Sequence, residues 1–180
     1  MASQKKLESD LAFRLMTFVY RFRDLLQDPR RSLEKARLGQ GMSVVDYGCG
    51  PGSFTIPAAE LVGQEGKVFA VDIHPLATTS VRRKASRKGL QNIETVLVRG
   101  YDTGIEASSI DRVLLIDTIH LIDDPDALFR EIRRMLKPDG LLFMEKGHMA
   151  MSRQKELVAK TGLFQIVESE RLMILATPRQ

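Results

Sequence analysis

The chain has 180 residues, 43% hydrophobic and 28% charged, which suits one domain with a sizeable single core. Its formal net charge of +4 is too small an excess to point to nucleic acid by itself, and a solvated surface with a few extra lysines and arginines accounts for it. The single cysteine, Cys49, excludes an intrachain disulfide and a cysteine-based metal cluster; no apolar run could span a bilayer, and the polar stretch 1–10 lacks a signal-peptide core, so a cytoplasmic protein is expected.

In chain order, Leu7, Leu11, Leu15, Phe18, Val19, Phe22, Leu25 and Leu26 follow the 3.6-residue period and predict an opening helix over 7–27. Pro29 ends it or begins a turn, Arg30–Arg37 reads as a short helix, and Gly39 and Gly41 break the pattern. Strands and helices then alternate: a strand at Ser43–Tyr47, a helix at Phe54–Val62, a strand at Val68–Val71, and a helix at Leu76–Lys88 closed by Gly89. Strands follow at Ile93–Val98 and Ile110–Ile116, then a helix at Pro125–Leu136, a Lys137–Gly140 turn, a strand at Leu141–Glu145 and a helix at Ser152–Thr161. Phe164–Glu168 and Leu172–Ala176 read as strands without a helix between them. They therefore pair as a hairpin, with one strand antiparallel to five parallel ones. The helical segment 1–38 and a core at 42–178 are expected to form one domain.

Parallel α/β sheets bind ligands at the carboxyl ends of their strands. The first strand ends in Asp46-Tyr47, followed by Gly48, Gly50 and Gly52, and a helix begins near Ser53. Asp72 ends the second strand, 22 residues after Gly50, where a carboxylate can accept from both ribose hydroxyls. The constellation fits a dinucleotide or S-adenosylmethionine. A dinucleotide loop reads G-x-G-x-x-G, whereas this one reads G-x-G-x-G. Asp46, two residues before the first glycine, suits the ammonium group of S-adenosylmethionine, and the length leaves no room for a dehydrogenase's substrate domain.

The chain resembles class I S-adenosylmethionine-dependent methyltransferases, of the small type grouped with ubiquinone-biosynthesis and arsenite methyltransferases, from about Met42 to Pro178. The resemblance rests on Asp46–Gly52, on Asp72 in Val-Phe-Ala-Val-Asp-Ile, on Arg99-Gly-Tyr-Asp102, on Asp111–Asp117 continuing to His120, and on Leu136–Leu142. It implies an α/β, Rossmann-like, doubly wound, mostly parallel seven-stranded sheet of order 3-2-1-4-5-7-6, strand 7 antiparallel, with an N-terminal helical extension. It implies S-adenosyl-L-methionine as cofactor. Gly48, Cys49 and Gly50 would face its methionine part, with Asp46 near the ammonium group. Asp72 would hold the ribose and Ile73 the adenine ring; Asp102 would accept from the adenine amino group beside Tyr101. Asp117 and Thr118 would border the methyl group and the substrate.

Each assignment has a plainer reading. Asp72 can cap the next helix, and Asp102 sits in a turn-rich loop where aspartate is common. Cys49 reads as a small loop filler, since no neighbour in sequence would lower its pKa. His120 is the candidate general base, or else packs in the loop after strand four; Glu145 and His148 are weaker candidates at the same edge. His120, Asp123 and Asp124 show no recognised metal-ligand spacing, so no metal site is expected. The basic run Val81–Lys88 lies on a helix and reads as a solvated face.

The expected chemistry is in-line methyl transfer to a small-molecule acceptor. A cofactor-binding module without activity and an RNA or protein methyltransferase are the alternatives. Nucleic acid is disfavoured because Asp117-Thr-Ile-His120 stands where a nucleic-acid enzyme would carry an Asn/Asp-Pro-Pro-Tyr/Phe motif, and arsenite because only Cys49 is present. The opening helix would cover the substrate pocket, pad the sheet, or pair with a second chain as a homodimer.

Overall fold

Residues 10, 11, 13 and 28–179 are described by a computed structural model. Asp10, Leu11 and Phe13 are helical, and the remainder of the helix expected over 7–27 lies outside the described residues. Pro29 starts a helix. It occupies the first turn of α1 (Pro29–Lys35), where its missing N–H costs nothing, and Asp28 caps the helix by accepting from the Arg30 N–H at 2.9 Å.

The chain continues through β1 (Ser43–Tyr47), α2 (Thr55–Val62), β2 (Lys67–Asp72), α3 (Pro75–Lys88), β3 (Ile93–Leu97) and β4 (Ile110–Ile116). A single 3-10 turn at Ile119–Leu121 leads to α4 (Pro125–Met135), β5 (Leu136–Glu145), α5 (Met151–Thr161), β6 (Phe164–Ser169) and β7 (Met173–Pro178). The strands form one sheet in the order β3-β2-β1-β4-β5-β7-β6. β1 to β5 pair in parallel, and β7 runs antiparallel to both β5 and β6, as the resemblance implied.

Period-two alternation divides the core between the faces of this sheet. Val44, Leu114, Phe143 and Leu175 pack with Leu33 of α1 and Ala58, Ala59 and Val62 of α2. Val45, Val113, Leu115, Met144 and Ile174 pack on the other face with Leu128, Phe129 and Ile132 of α4 and Leu157 and Val158 of α5. Phe129 and Phe164 meet edge to face there, centroids 6.0 Å apart. Among the described residues, no helix is long and apolar enough to cross a membrane.

One element differs from expectation. Lys137–Gly140 is not a free turn: β5 already begins at Leu136, which pairs with Ile110, and the register shifts before Arg112 meets Leu141. The intervening residues form a bulge, held by Lys137 Nζ at 2.7 Å from Asp111 Oδ1.

Candidate functional site

A cavity opens at the carboxyl ends of β1, β2 and β4. Its floor is the glycine loop. Gly48, Gly50 and Gly52 have φ of 79°, 50° and 88°, in the left-handed region that glycine enters freely. The Gly48 and Cys49 N–H groups both donate to the Val71 carbonyl, at 2.8 and 3.0 Å, so the loop is folded back onto β2. A Cβ on Gly48 would overlap the Thr118 side chain. Glycine is therefore required there twice, by its dihedral and by the close approach of the β4 end.

Asp72 ties the loop to the second strand. Its Oδ2 accepts from the Gly50 N–H and its Oδ1 from the His74 N–H, each at 2.8 Å. Burial raises its pKa, opposed by those backbone donors. Each oxygen keeps a further lone pair for a ligand hydroxyl. Ile73, Val98 and His74 line the cavity beside it, and Phe13 of the N-terminal segment stacks on the His74 ring, centroids 4.4 Å apart. At the other end the wall is Ile116, Asp117, Thr118, Leu121 and Ile122. Of the expected residues, Gly48, Cys49, Gly50, Asp72, Ile73, Asp117 and Thr118 meet at this one cavity.

Asp46, Tyr101, Asp102 and Glu145 do not. Strand alternation turns Asp46 to the Val44 face, beneath α2, where its Oδ2 accepts from Thr55 Oγ1 at 2.6 Å. Buried there, it has its pKa pushed up to about 6. It staples β1 to the start of α2 and does not reach the wall. Tyr101 turns into the α4 side, its hydroxyl accepting from the Asp124 N–H at 2.9 Å. Asp102 is exposed and closes a local turn with the Gly104 N–H. Thr103 holds this loop away from the cavity, because both its N–H and its hydroxyl donate to Glu131 of α4, at 2.9 and 2.6 Å. Glu145 shares the Phe143 face of β5 and accepts from Ser32 of α1 at 2.9 Å. Cys49 is buried, and burial pushes its thiol well up, as expected of a filler rather than a nucleophile.

Phe13, carried by the opening segment for which covering the pocket was one of the expectations, lines the wall; the sequence reading missed Val98, His74, Ser53, Phe54, Leu121 and Ile122. Val98 ends a strand that was recognised, and the others lie in the segments that follow recognised strands, which is the signal that could have found them. His120 does not line the cavity; its Nδ1 lies 3.4 Å from Asp117 Oδ1. His148 sits closer, its Nδ1 2.9 Å from the same oxygen.

A glycine loop tied by its N–H to the carboxylate at the end of β2, on a sheet whose last strand is antiparallel, agrees with the family model described as a methyltransferase domain, which matches residues 38–174. The chain belongs to the class I S-adenosylmethionine-dependent methyltransferases. It is 33% identical over 111 residues to a nocamycin O-methyltransferase from Saccharothrix syringae, a match covering 62% of this chain and 40% of that protein. The chain thus spans less than half the length of that curated relative. A S-adenosylmethionine-dependent methyltransferase from Aquifex aeolicus has the same fold, with a TM-score of 0.77 at 22% identity over 87% of this chain and 93% of that one. A coclaurine N-methyltransferase structure, bound to N-methylheliamine and S-adenosylhomocysteine, gives a TM-score of 0.59 at 26% identity over 79% of this chain and 38% of that one. These likenesses do not single out the ubiquinone-biosynthesis and arsenite group within the class.

Proposed function

We propose that the chain uses S-adenosyl-L-methionine to methylate a small-molecule acceptor by in-line displacement. The observation that carries this is the bond from the Gly50 N–H to Asp72 Oδ2, which fixes a carboxylate beside a backbone cradle and an apolar slot. The cradle fits the cofactor. Gly48 and Gly50 leave room for the methionine part, Asp72 accepts from the ribose hydroxyls, and Ile73 and Val98 flank the adenine ring. When bound, the cofactor supplies an electrophilic methyl group on a sulfonium.

The chain's residues position and dry the reaction. Leu121, Ile122, Phe54 and Phe13 are apolar, so they exclude water and take a largely apolar acceptor. Asp117 and Thr118 place polar oxygen atoms at the β4 end, where an acceptor's polar atom is oriented. Little further electrostatic help is needed, because a neutral thioether leaves as the sulfonium charge is discharged. The polar groups at the β4 end speak against a binding module without activity, which would present a wholly apolar methyl end.

Isothermal calorimetry with S-adenosylhomocysteine tests the reading. Asp72→Ala removes a charged acceptor and the loop's anchor together, so affinity should fall by roughly 10- to 100-fold, the equivalent of about 1.5–3 kcal/mol. Unchanged affinity in that variant would sink the assignment.

A further inference from the structure

The geometry points to a divalent transition-metal site formed by Asp117, His120 and His148 at the rim of the cavity. The three side chains come from the β4 end, the 3-10 turn after it and the loop after β5, and each can offer one ligand atom to a common point. His148 Nδ1 lies 2.9 Å from Asp117 Oδ1 and 3.0 Å from Oδ2; His120 Nδ1 lies 3.4 Å from Oδ1; all three ligand atoms fall within 4.8 Å of one another. An ion bonded at about 2.0–2.2 Å to each ligand sets neighbouring ligands roughly 3–3.5 Å apart, so small side-chain shifts are enough to close on it. Two imidazoles with one carboxylate form a borderline-soft set, suited to Zn²⁺, Co²⁺, Fe²⁺ or Ni²⁺ rather than Mg²⁺ or Ca²⁺.

The backbone is built around this cluster. Asp117 is one of three non-glycine residues among those described with positive φ, at 50°, a conformation that costs energy and persists only where the surroundings impose it. Gly147 lies so close to Asp117 that any side chain there would overlap the carboxylate. The His148 N–H donates to Asp117 Oδ1 at 2.8 Å, which fixes the orientation of the carboxylate. The His120 and His148 rings lie 4.8 Å apart, tilted by 42°, around the same oxygen. His148 is exposed, which gives an ion a path in from solvent.

Three protein ligands leave coordination positions open, as in catalytic rather than structural sites. Asp117 belongs both to the cluster and to the cavity wall, which sets the ion against the acceptor end. There it would take an acceptor hydroxyl as a ligand and lower its pKa, so that the proton leaves to solvent and the oxygen attacks as its anion. This catalytic consequence rests on the methyl-transfer reading, whereas the ion binding rests on the three side chains alone.

The test uses the untagged full chain, stripped with a chelator and titrated with Co²⁺ alone. Intense visible d–d absorption should saturate at one ion per chain and disappear on adding Zn²⁺. Each of His148→Ala and His120→Ala should weaken binding by at least about 10-fold, the loss that even an outer-sphere change brings. Only the spectrum of hydrated Co²⁺, or a saturable site that survives loss of both histidines, overturns the proposal. S-adenosylhomocysteine binding measured on the same samples separates the two readings. Cofactor binding without the cobalt bands overturns the ion site alone, and the bands without cofactor binding support the ion site while removing the cofactor assignment.

Discussion

At Gly48 two requirements meet that can be separated by mutation. Gly48→Ala places a methyl group against Thr118 and demands φ of 79° from a residue with a Cβ. Backbone strain and overpacking each cost about 1–3 kcal/mol, so the variant should lose roughly 2–6 kcal/mol in urea unfolding. Adding Thr118→Ala removes the overlap but not the dihedral, and should restore only part of that loss. Full restoration, or none, would show that a single term dominates. Asp46 makes a different prediction, about pH. Its folded pKa of about 6 stands above its ordinary 3.8, because burial penalises the charged form. Below pH 4 both folded and unfolded chains hold the proton. Between pH 4 and 6 the unfolded chain releases it first, so this group's contribution falls as pH rises, by up to about 3 kcal/mol above pH 6. Asp46→Asn should remove that loss, leaving the variant more stable than the wild type above pH 6 and no more stable near pH 4. Thermal unfolding of the pair across this range checks it; a stability difference independent of pH would refute the burial argument.

At the scale of elements, legibility followed how local the determining contacts are. β1, β2 and β4 are short apolar or β-branched runs bounded by glycines and turns, and the glycine loop and Asp72 lie at their ends, so the strands and the cavity floor were legible together, while the strand order came from the resemblance. The loop after β3 could not. Tyr101 and Asp102 follow the strand at the expected spacing, but Thr103 is captured by Glu131 of α4, 28 positions away, and takes the loop with it. The Asp117–His148 pair was hidden for the same kind of reason: its partners are 31 positions apart and meet only because β4 and β5 are neighbours in the sheet. Glu145 was misplaced because the strand was recognised without asking which face each residue takes. The position of this loop has a measurable consequence. Asp102→Ala removes the acceptor of the Gly104 N–H and a charge near Arg134, both away from the cavity, so S-adenosylhomocysteine affinity should change by no more than about twofold, as for an ordinary surface substitution. A tenfold loss would return Asp102 to the adenine ring and show that the loop moves on binding.

For the whole molecule, ligand identity can be read from stability, because the cavity joins the ends of three strands to the N-terminal segment. The β1 loop, the β2 end with His74, the β4 end and Phe13 all line it, so a ligand filling it engages elements that unfolding would scatter. A ligand bound only by the folded chain stabilises it by about 2.7 kcal/mol at 100 times its dissociation constant. For a chain of this length, each kcal/mol raises the midpoint by about 2–4 °C, so saturating S-adenosylhomocysteine should raise Tm by roughly 5–10 °C. NAD tests the other ligand that the sequence allowed. The G-x-G-x-G loop is tied by its N–H groups to the Val71 carbonyl and to Asp72, which leaves the Gly48, Cys49 and Gly50 donors turned to the protein rather than to a pyrophosphate. NAD at the same concentration should therefore leave Tm unchanged. If NAD gave the larger rise, the donor assignment at Gly48–Gly50 would be wrong, and the methyl-transfer reading with it; if S-adenosylhomocysteine alone does, the glycine spacing and the two carbonyl-bound donors explain why.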